Sequence, residues 1–168
     1  MLVSGTGLAT PVPVELQPLG QGHAYYLKFI KVYKAALFAA AAGDASSLLS
    51  DEVSKCLHLE YAVEVKREHF IEAAVTVLKR QFPPAQLDLV RNDIEALHQG
   101  YLDVQAGDSY TLCYQSDTAV TTLARNGSKV LSIDTPGFAT VYFSIWLGEA
   151  DPLDERLRAD LLAGLNAN

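Results

Sequence analysis

Four histidines and two cysteines carry the widest chemical repertoire in this chain: His23, His58, His69, His98, Cys56 and Cys113. No two histidines fall three or four residues apart on one predicted helix, and the cysteines show neither metal spacing nor a disulfide framework. His58 and His98 read as solvent-facing or locally bonded imidazoles. His23 opens an aromatic segment beside Tyr25 and Tyr26, which makes it the candidate for a ligand contact. His69 precedes the apolar stripe of a helix, facing either a sheet or, more simply, the surface. Tyr25, Tyr26 and Tyr33 pair large apolar bodies with hydroxyls that need partners when buried, the usual chemistry of a core or an interface. Trp146, on the apolar face of its helix, is most simply core. Lys31 stands between Ile30 and Val32, so its stem packs while its ammonium reaches solvent. Cys113 shares a strand face with Thr111 and Gln115, and both thiols are expected to be free and inert. In an exported protein they could pair only from neighbouring strands, with Cα atoms within about 7 Å.

The motifs of common enzymes are absent: there is no GxSxG, no GxxxxGK[ST] and no HExxH. Gly20-Gln21-Gly22 lacks the third glycine of a dinucleotide fingerprint and precedes a strand, so it reads as a tight turn that leaves room for a ligand.

The elements that must position these groups follow from patterning. The chain has 168 residues, 49% hydrophobic and 20% charged, with a formal charge of −7. That length fits one domain over residues 12–168, after a loose tail over 1–11 rich in Gly, Thr, Ser and Pro. An acidic chain without a Lys/Arg stripe has no footprint for nucleic acid. No segment approaches the roughly 18 apolar residues of a membrane span, and Phe38–Ala42 is soon ended by Gly43-Asp44. Met1 to Ala9 lacks a basic leader, so it is either the native start or the stub of a removed leader. The protein is accordingly periplasmic or secreted in the second case and cytoplasmic in the first.

Val12-Pro13-Val14 suits only an edge strand, ending at Pro18-Leu19-Gly20. His23 to Phe38 reads as one long bent strand or two joined strands, with a bulge where lysines interrupt at 28, 31 and 34. Asp44 caps a short helix over 45–49. Leu57, Leu59, Tyr61, Val63 and Val65 share one face of a half-buried strand. Phe70, Ile71, Ala74, Val77, Leu78 and Phe82 stripe a helix that Pro83-Pro84 breaks. Leu87, Val90, Ile94 and Leu97 mark a second helix, stopped at Gly100. Tyr110, Leu112 and Tyr114 alternate, and Asn126-Gly127 joins strands 120–125 and 129–133. Thr135-Pro136 and Asp151-Pro152 each open a terminal helix. Strands, two helices, three strands and two helices make an α+β domain with antiparallel pairing.

Gly20-Gln21-Gly22 leading into Phe29-Ile30-Lys31-Val32-Tyr33-Lys34-Ala35-Ala36-Leu37-Phe38, then Leu59-Glu60-Tyr61, then Gly107-Asp108-Ser109-Tyr110-Thr111-Leu112 with Asn126-Gly127, then Phe138 to Ile145-Trp146-Leu147-Gly148, resemble the chalcone isomerase superfamily. The likeness, strongest to its bacterial chalcone isomerase-like branch, covers roughly residues 15–165 and implies an open-faced β-sandwich. In it a large antiparallel sheet is packed by helices on one face, with a ligand cleft between.

Members that are true isomerases hold the phenolate with a strand arginine and surround the carbonyl with polar groups. Here the arginine's place reads Gly22-His23-Ala24-Tyr25, the threonine of the next strand falls at Tyr33, and the polar residue of the last long helix falls at Ile145. The helix tyrosine and asparagine, seven apart, fall near His69/Thr76 or Phe70/Val77. An oxyanion partner is worth about 3–4 kcal/mol, so losing cation and carbonyl polariser together leaves little catalysis. The fatty-acid-binding members use the same arginine with a tyrosine; Tyr33 keeps the tyrosine, and His23 is the nearest substitute for a carboxylate contact.

The reading is therefore a non-catalytic binder of a small apolar or amphipathic ligand, contacted by His23, Tyr25, Tyr33, His69, Phe70 and Trp146. A fatty acid is one candidate and haem another, with His23 as the possible iron ligand; no cofactor is required. Two rivals stay open: an isomerase or lyase using Tyr33 or His69 as acid or base, and a structural domain whose cleft is filled by its own side chains. The ligand's identity and the oligomeric state are not legible.

Overall fold

The computed structural model describes residues 15–166, so the tail over 1–11 and the edge strand proposed around Pro13 lie outside the described residues. Six strands form one antiparallel sheet in chain order: β1 (Gln17–Tyr26), β2 (Ile30–Ala39), β3 (Lys55–Tyr61), β4 (Ser109–Gln115), β5 (Val120–Arg125) and β6 (Ser128–Ile133). A short helix α1 (Ala45–Leu49) links β2 to β3, and α2 (Arg67–Gln81), α3 (Pro84–Asp88) and α4 (Arg91–Gln99) lie between β3 and β4. The chain closes with α5 (Phe138–Leu147), α6 (Glu155–Leu161) and a 3₁₀ turn, Ala163–Asn166. This is the α+β, open-faced arrangement that the patterning and the resemblance imply.

Side-chain alternation creates the layers, because successive residues of a strand point to opposite faces. Ala35 and Leu37, Leu57 and Leu59, Tyr110 and Leu112, and Leu123 are all buried on the helix-covered face. Helix α5 lies in the middle of the protein. Nine of its residues are buried, Phe138–Ala139 and Val141–Leu147, as suits a helix apolar on all sides. It packs against α1, α2 and α6.

Asn126-Gly127 turns β5 into β6 with φ of 50° and 82°, as its sequence requires. Asp44 caps α1 through its side chain, accepting from the Ser47 N–H at 2.8 Å. The aromatic segment from His23 resolves into two strands of a hairpin, with register shifts at Pro18/Gly20 and Ala24/Tyr25. β3 is shorter than its alternation suggests: it ends at Tyr61, and Val65 forms only an isolated bridge with Val104. The terminal helices start later than their prolines, at Phe138 after Gly137 and at Glu155 after the Asp154 cap.

Two expectations are corrected. Gly20-Gln21-Gly22 is not a turn; it lies inside β1, where α6 crosses the strand. A Cβ on Gly20 would stand 2.2 Å from the Asp160 carbonyl oxygen, and one on Gly22 2.9 Å from the Asp160 Cβ. The glycines admit a helix, not a ligand. The cysteines are not free thiols: Cys56 and Cys113 are directly opposed on β3 and β4, with Cα atoms 4.1 Å apart, and form a disulfide. Their juxtaposition depends on pairing across 57 residues of chain, a register that spacing alone does not give.

Candidate functional site

Between sheet and helices lies a cavity of about 80 Å³. Its floor is the sheet: Tyr33 from β2, Leu57, Leu59 and Tyr61 from β3, Tyr110 and Leu112 from β4, and Leu123 from β5. The roof is Phe70, Ala73 and Ala74 of α2 with Tyr142, Ile145 and Trp146 of α5, while Tyr101 and Leu153 close the ends from loops. Five of the eight tyrosines thus converge on one space. Their rings interlock: Tyr101 lies 5.2 Å from Tyr110 and Tyr33 5.5 Å from Tyr61, both edge to face, and Tyr61 lies 5.2 Å from Phe70 with the rings tilted. Ala73 is exposed and Phe70 and Leu153 are partly so, and the cavity meets solvent between α2 and the segment before α6.

The polar atoms form two groups. Trp146 Nε1 donates to the Tyr33 hydroxyl at 3.0 Å, which leaves the tyrosine's own proton available to a ligand. Tyr142 is hydrogen-bonded both to Tyr101 (3.0 Å) and to His98 Nε2 (3.1 Å). Among the described residues the Tyr61 hydroxyl has no hydrogen-bond partner. Burial pushes the Tyr33 phenol up to about 12 and raises Tyr61, Tyr101 and Tyr142 strongly as well. Burial, helped by the Arg67 guanidinium, lowers His98 to about 4. Near pH 7 Tyr33, Tyr61, Tyr101 and Tyr142 are protonated and the His98 imidazole is neutral. No charged side chain lines the cavity. It offers hydroxyl donors and apolar walls, but neither a phenolate base nor a cation.

A larger trough of about 340 Å³ crosses the outside of α2 and α4, lined by Val75, Leu78, Lys79, Leu87, Arg91, Ile94, Glu95 and His98. It mixes charges of both signs on an open surface, and no polar groups converge there.

Of the six residues singled out in the sequence, the fold brings Tyr33, Phe70 and Trp146 into the cavity and leaves out His23, Tyr25 and His69. His23 and Tyr25 lie near the tip of the β1–β2 hairpin, with ring centroids 6.2 Å apart, while His69 is exposed on α2. The physical reason is register. His23 follows Gly22, whose inward side is taken by α6, so its side chain turns away. Sequence reasoning passed over Tyr61, Tyr101, Tyr110, Tyr142 and His98. Tyr61 and Tyr110 continue the apolar faces of their strands and Tyr142 that of its helix, a usable signal. Tyr101, in the segment after α4, carries none.

A six-stranded antiparallel sheet with helices on one face and an apolar cavity between is the open-faced sandwich class. The chalcone isomerase-like family model matches residues 3–163, and the chain belongs to that family. Among solved structures, a fatty-acid binding protein from Arabidopsis thaliana is similar in fold. Its TM-score is 0.69 at 18% identity, over 92% of this chain and 90% of that one. By sequence, no curated protein matches.

Proposed function

We propose that this protein binds a small apolar ligand in the tyrosine-lined cavity without transforming it, and that a fatty acyl chain is the ligand class. The observation that carries this reading is the uncharged lining. Apolar walls with a few convergent hydroxyls suit recognition of a chain and one polar group, while Tyr33 and Tyr142 stay protonated and His98, outside the lining, has its Nε2 held by the Tyr142 hydroxyl. The fold shared with a protein described as fatty-acid binding supports the same reading. Lacking a cation, the cavity takes the acyl tail inward and leaves the carboxylate at the mouth, since an unpaired buried carboxylate is costly.

At about 80 Å³ the space is below the roughly 300 Å³ at which ligand pockets usually begin, so Phe70 and Leu153 must swing aside on binding. The same small volume favours a second reading, a structural domain filled by its own aromatic side chains. Haem finds no support: none of the histidines lines the cavity, and His98 Nε2 is already bonded to Tyr142. The Cys56–Cys113 disulfide supports an oxidising compartment such as a periplasm or the cell exterior.

Titration with a polyene fatty acid that fluoresces in apolar surroundings tests the reading. The parent binds saturably, and Ala73→Trp, which plugs the partly exposed mouth, weakens binding about tenfold or more. No binding by the parent leaves the filled domain. Chalcone absorbance followed with a protein-free control shows no acceleration; an enhancement above about 10⁴ refutes the non-catalytic reading.

A further inference from the structure

Among the described residues the largest cluster of exposed apolar side chains lies far along the β1–β2 hairpin: Tyr25 (46% exposed), Tyr26 (60%), Leu27 (66%), Phe29 (87%) and Ile30 (47%). Such a run is not needed to make the turn. Phe29 N–H donates to the Tyr26 carbonyl at 3.2 Å around Leu27 and Lys28, whose φ angles are 51° and 65°. Turns with two positive φ values favour Asn-Gly, which this chain uses at Asn126-Gly127. Leu-Lys is the poorer turn former, and it places an isobutyl group at the apex in water. β3 pairs with β2 only from Tyr33 to Ala39, so the hairpin tip extends beyond its neighbouring strand. No residue from Tyr25 to Lys31 joins the core.

Charge distinguishes the tip from the rest of the molecule. Residues 16–43 contain no Asp or Glu but three lysines, Lys28, Lys31 and Lys34, in a chain of net charge −7. Among the described residues none of the three forms an ion pair; Glu60 stands across the strand from Lys34, and Asp160 is close enough to His23 to act on its charge. A projecting tip with an aliphatic apex, tyrosines behind it and lysines around it matches a bilayer interface. There the apolar groups enter the acyl boundary, tyrosines sit at headgroup level and lysines meet anionic lipid. A concave protein partner would be needed to cover the same convex tip, whereas a fluid lipid surface adapts to it.

We infer that the β1–β2 hairpin tip docks the protein onto anionic membrane surfaces, with Leu27 and Phe29 inserting and Lys28 and Lys31 pairing with lipid headgroups. The docking stands independently of what the cavity holds. The test is co-sedimentation of the full protein with phosphatidylcholine vesicles, with and without about 30% phosphatidylglycerol, at low and high salt. Retention on the anionic vesicles falls about tenfold in Leu27→Asn/Phe29→Ser, a variant that keeps a residue tolerant of positive φ at the apex. Lys28→Gln/Lys31→Gln lowers it severalfold and removes much of its salt dependence. Circular dichroism of both variants confirms the fold. No retention, equal retention on neutral vesicles, or undiminished retention in the apolar variant overturns the inference. So does a concentration-dependent dimer that Leu27→Asn/Phe29→Ser dissociates, because the tip would then serve a second copy.

Discussion

Reducing the disulfide gives the sharpest test of how the cavity floor is held. Cys56 and Cys113 are bonded on the face of the sheet opposite the cavity, and their neighbours Leu57 and Leu112 line it from the other side. The bond closes a loop across a sequence separation of 57. In the chain-entropy account that loop removes about 14 cal/mol/K from the unfolded chain, or about 4 kcal/mol at 25 °C. Natural domains are stable by only about 5–15 kcal/mol, so reduction removes a large share of the total. Urea unfolding of oxidised protein, compared with protein held in dithiothreitol, reads the loss directly. With a slope of about 2 kcal/mol/M, the midpoint falls by about 2 M. Midpoints within about 0.3 M of each other refute the reasoning. Two free thiols in unfolded, unreduced protein would refute the bond itself.

His98 makes stability depend on acid. Its folded pKa of about 4 lies below the ordinary 6.5, so the unfolded chain binds the extra proton first. Stability is therefore full above about pH 6.5 and falls as pH drops towards 4, by up to about 3 kcal/mol. His98→Asn flattens that dependence in urea titrations at pH 7 and 5; an unchanged slope refutes the assignment. Tyr142→Phe strips partners from both His98 and Tyr101 and costs about 1–3 kcal/mol in the same assay, and a loss below about 0.5 kcal/mol contradicts the network. Gly20→Ala drives a methyl into the α6 backbone and lowers stability by about 2 kcal/mol or more, visible as a fall in Tm; an unchanged Tm means α6 does not bear on β1 as described.

Most elements were legible because they are local. The alternation of Leu57, Leu59 and Tyr61 makes a strand wherever one face is buried. The Asn126-Gly127 pair makes a hairpin, and Pro83-Pro84 ends a helix, whatever surrounds them. Tyr33, Phe70 and Trp146 were also accessible to sequence reading, since a large aromatic residue on an apolar face points into whatever the element covers. His23 shows where that reasoning stops. Its aromatic neighbours suggested a site, yet they lie exposed on a projecting hairpin.

By itself the sequence determined an α+β domain of alternating strands and amphipathic helices, and through its ordered motifs a likeness to the chalcone isomerase superfamily. By that likeness the place of the superfamily's strand arginine falls at His23, an expectation read from which residue stands after Gly22. Tertiary structure alone decided which tyrosines share a cavity, that Cys56 meets Cys113, and that α6 rather than a ligand fills the space above Gly20 and Gly22. Each of these depends on strand register or helix placement across many tens of residues. The hydrophobic pattern that drives such pairing specifies which face is buried but not which residue lies opposite.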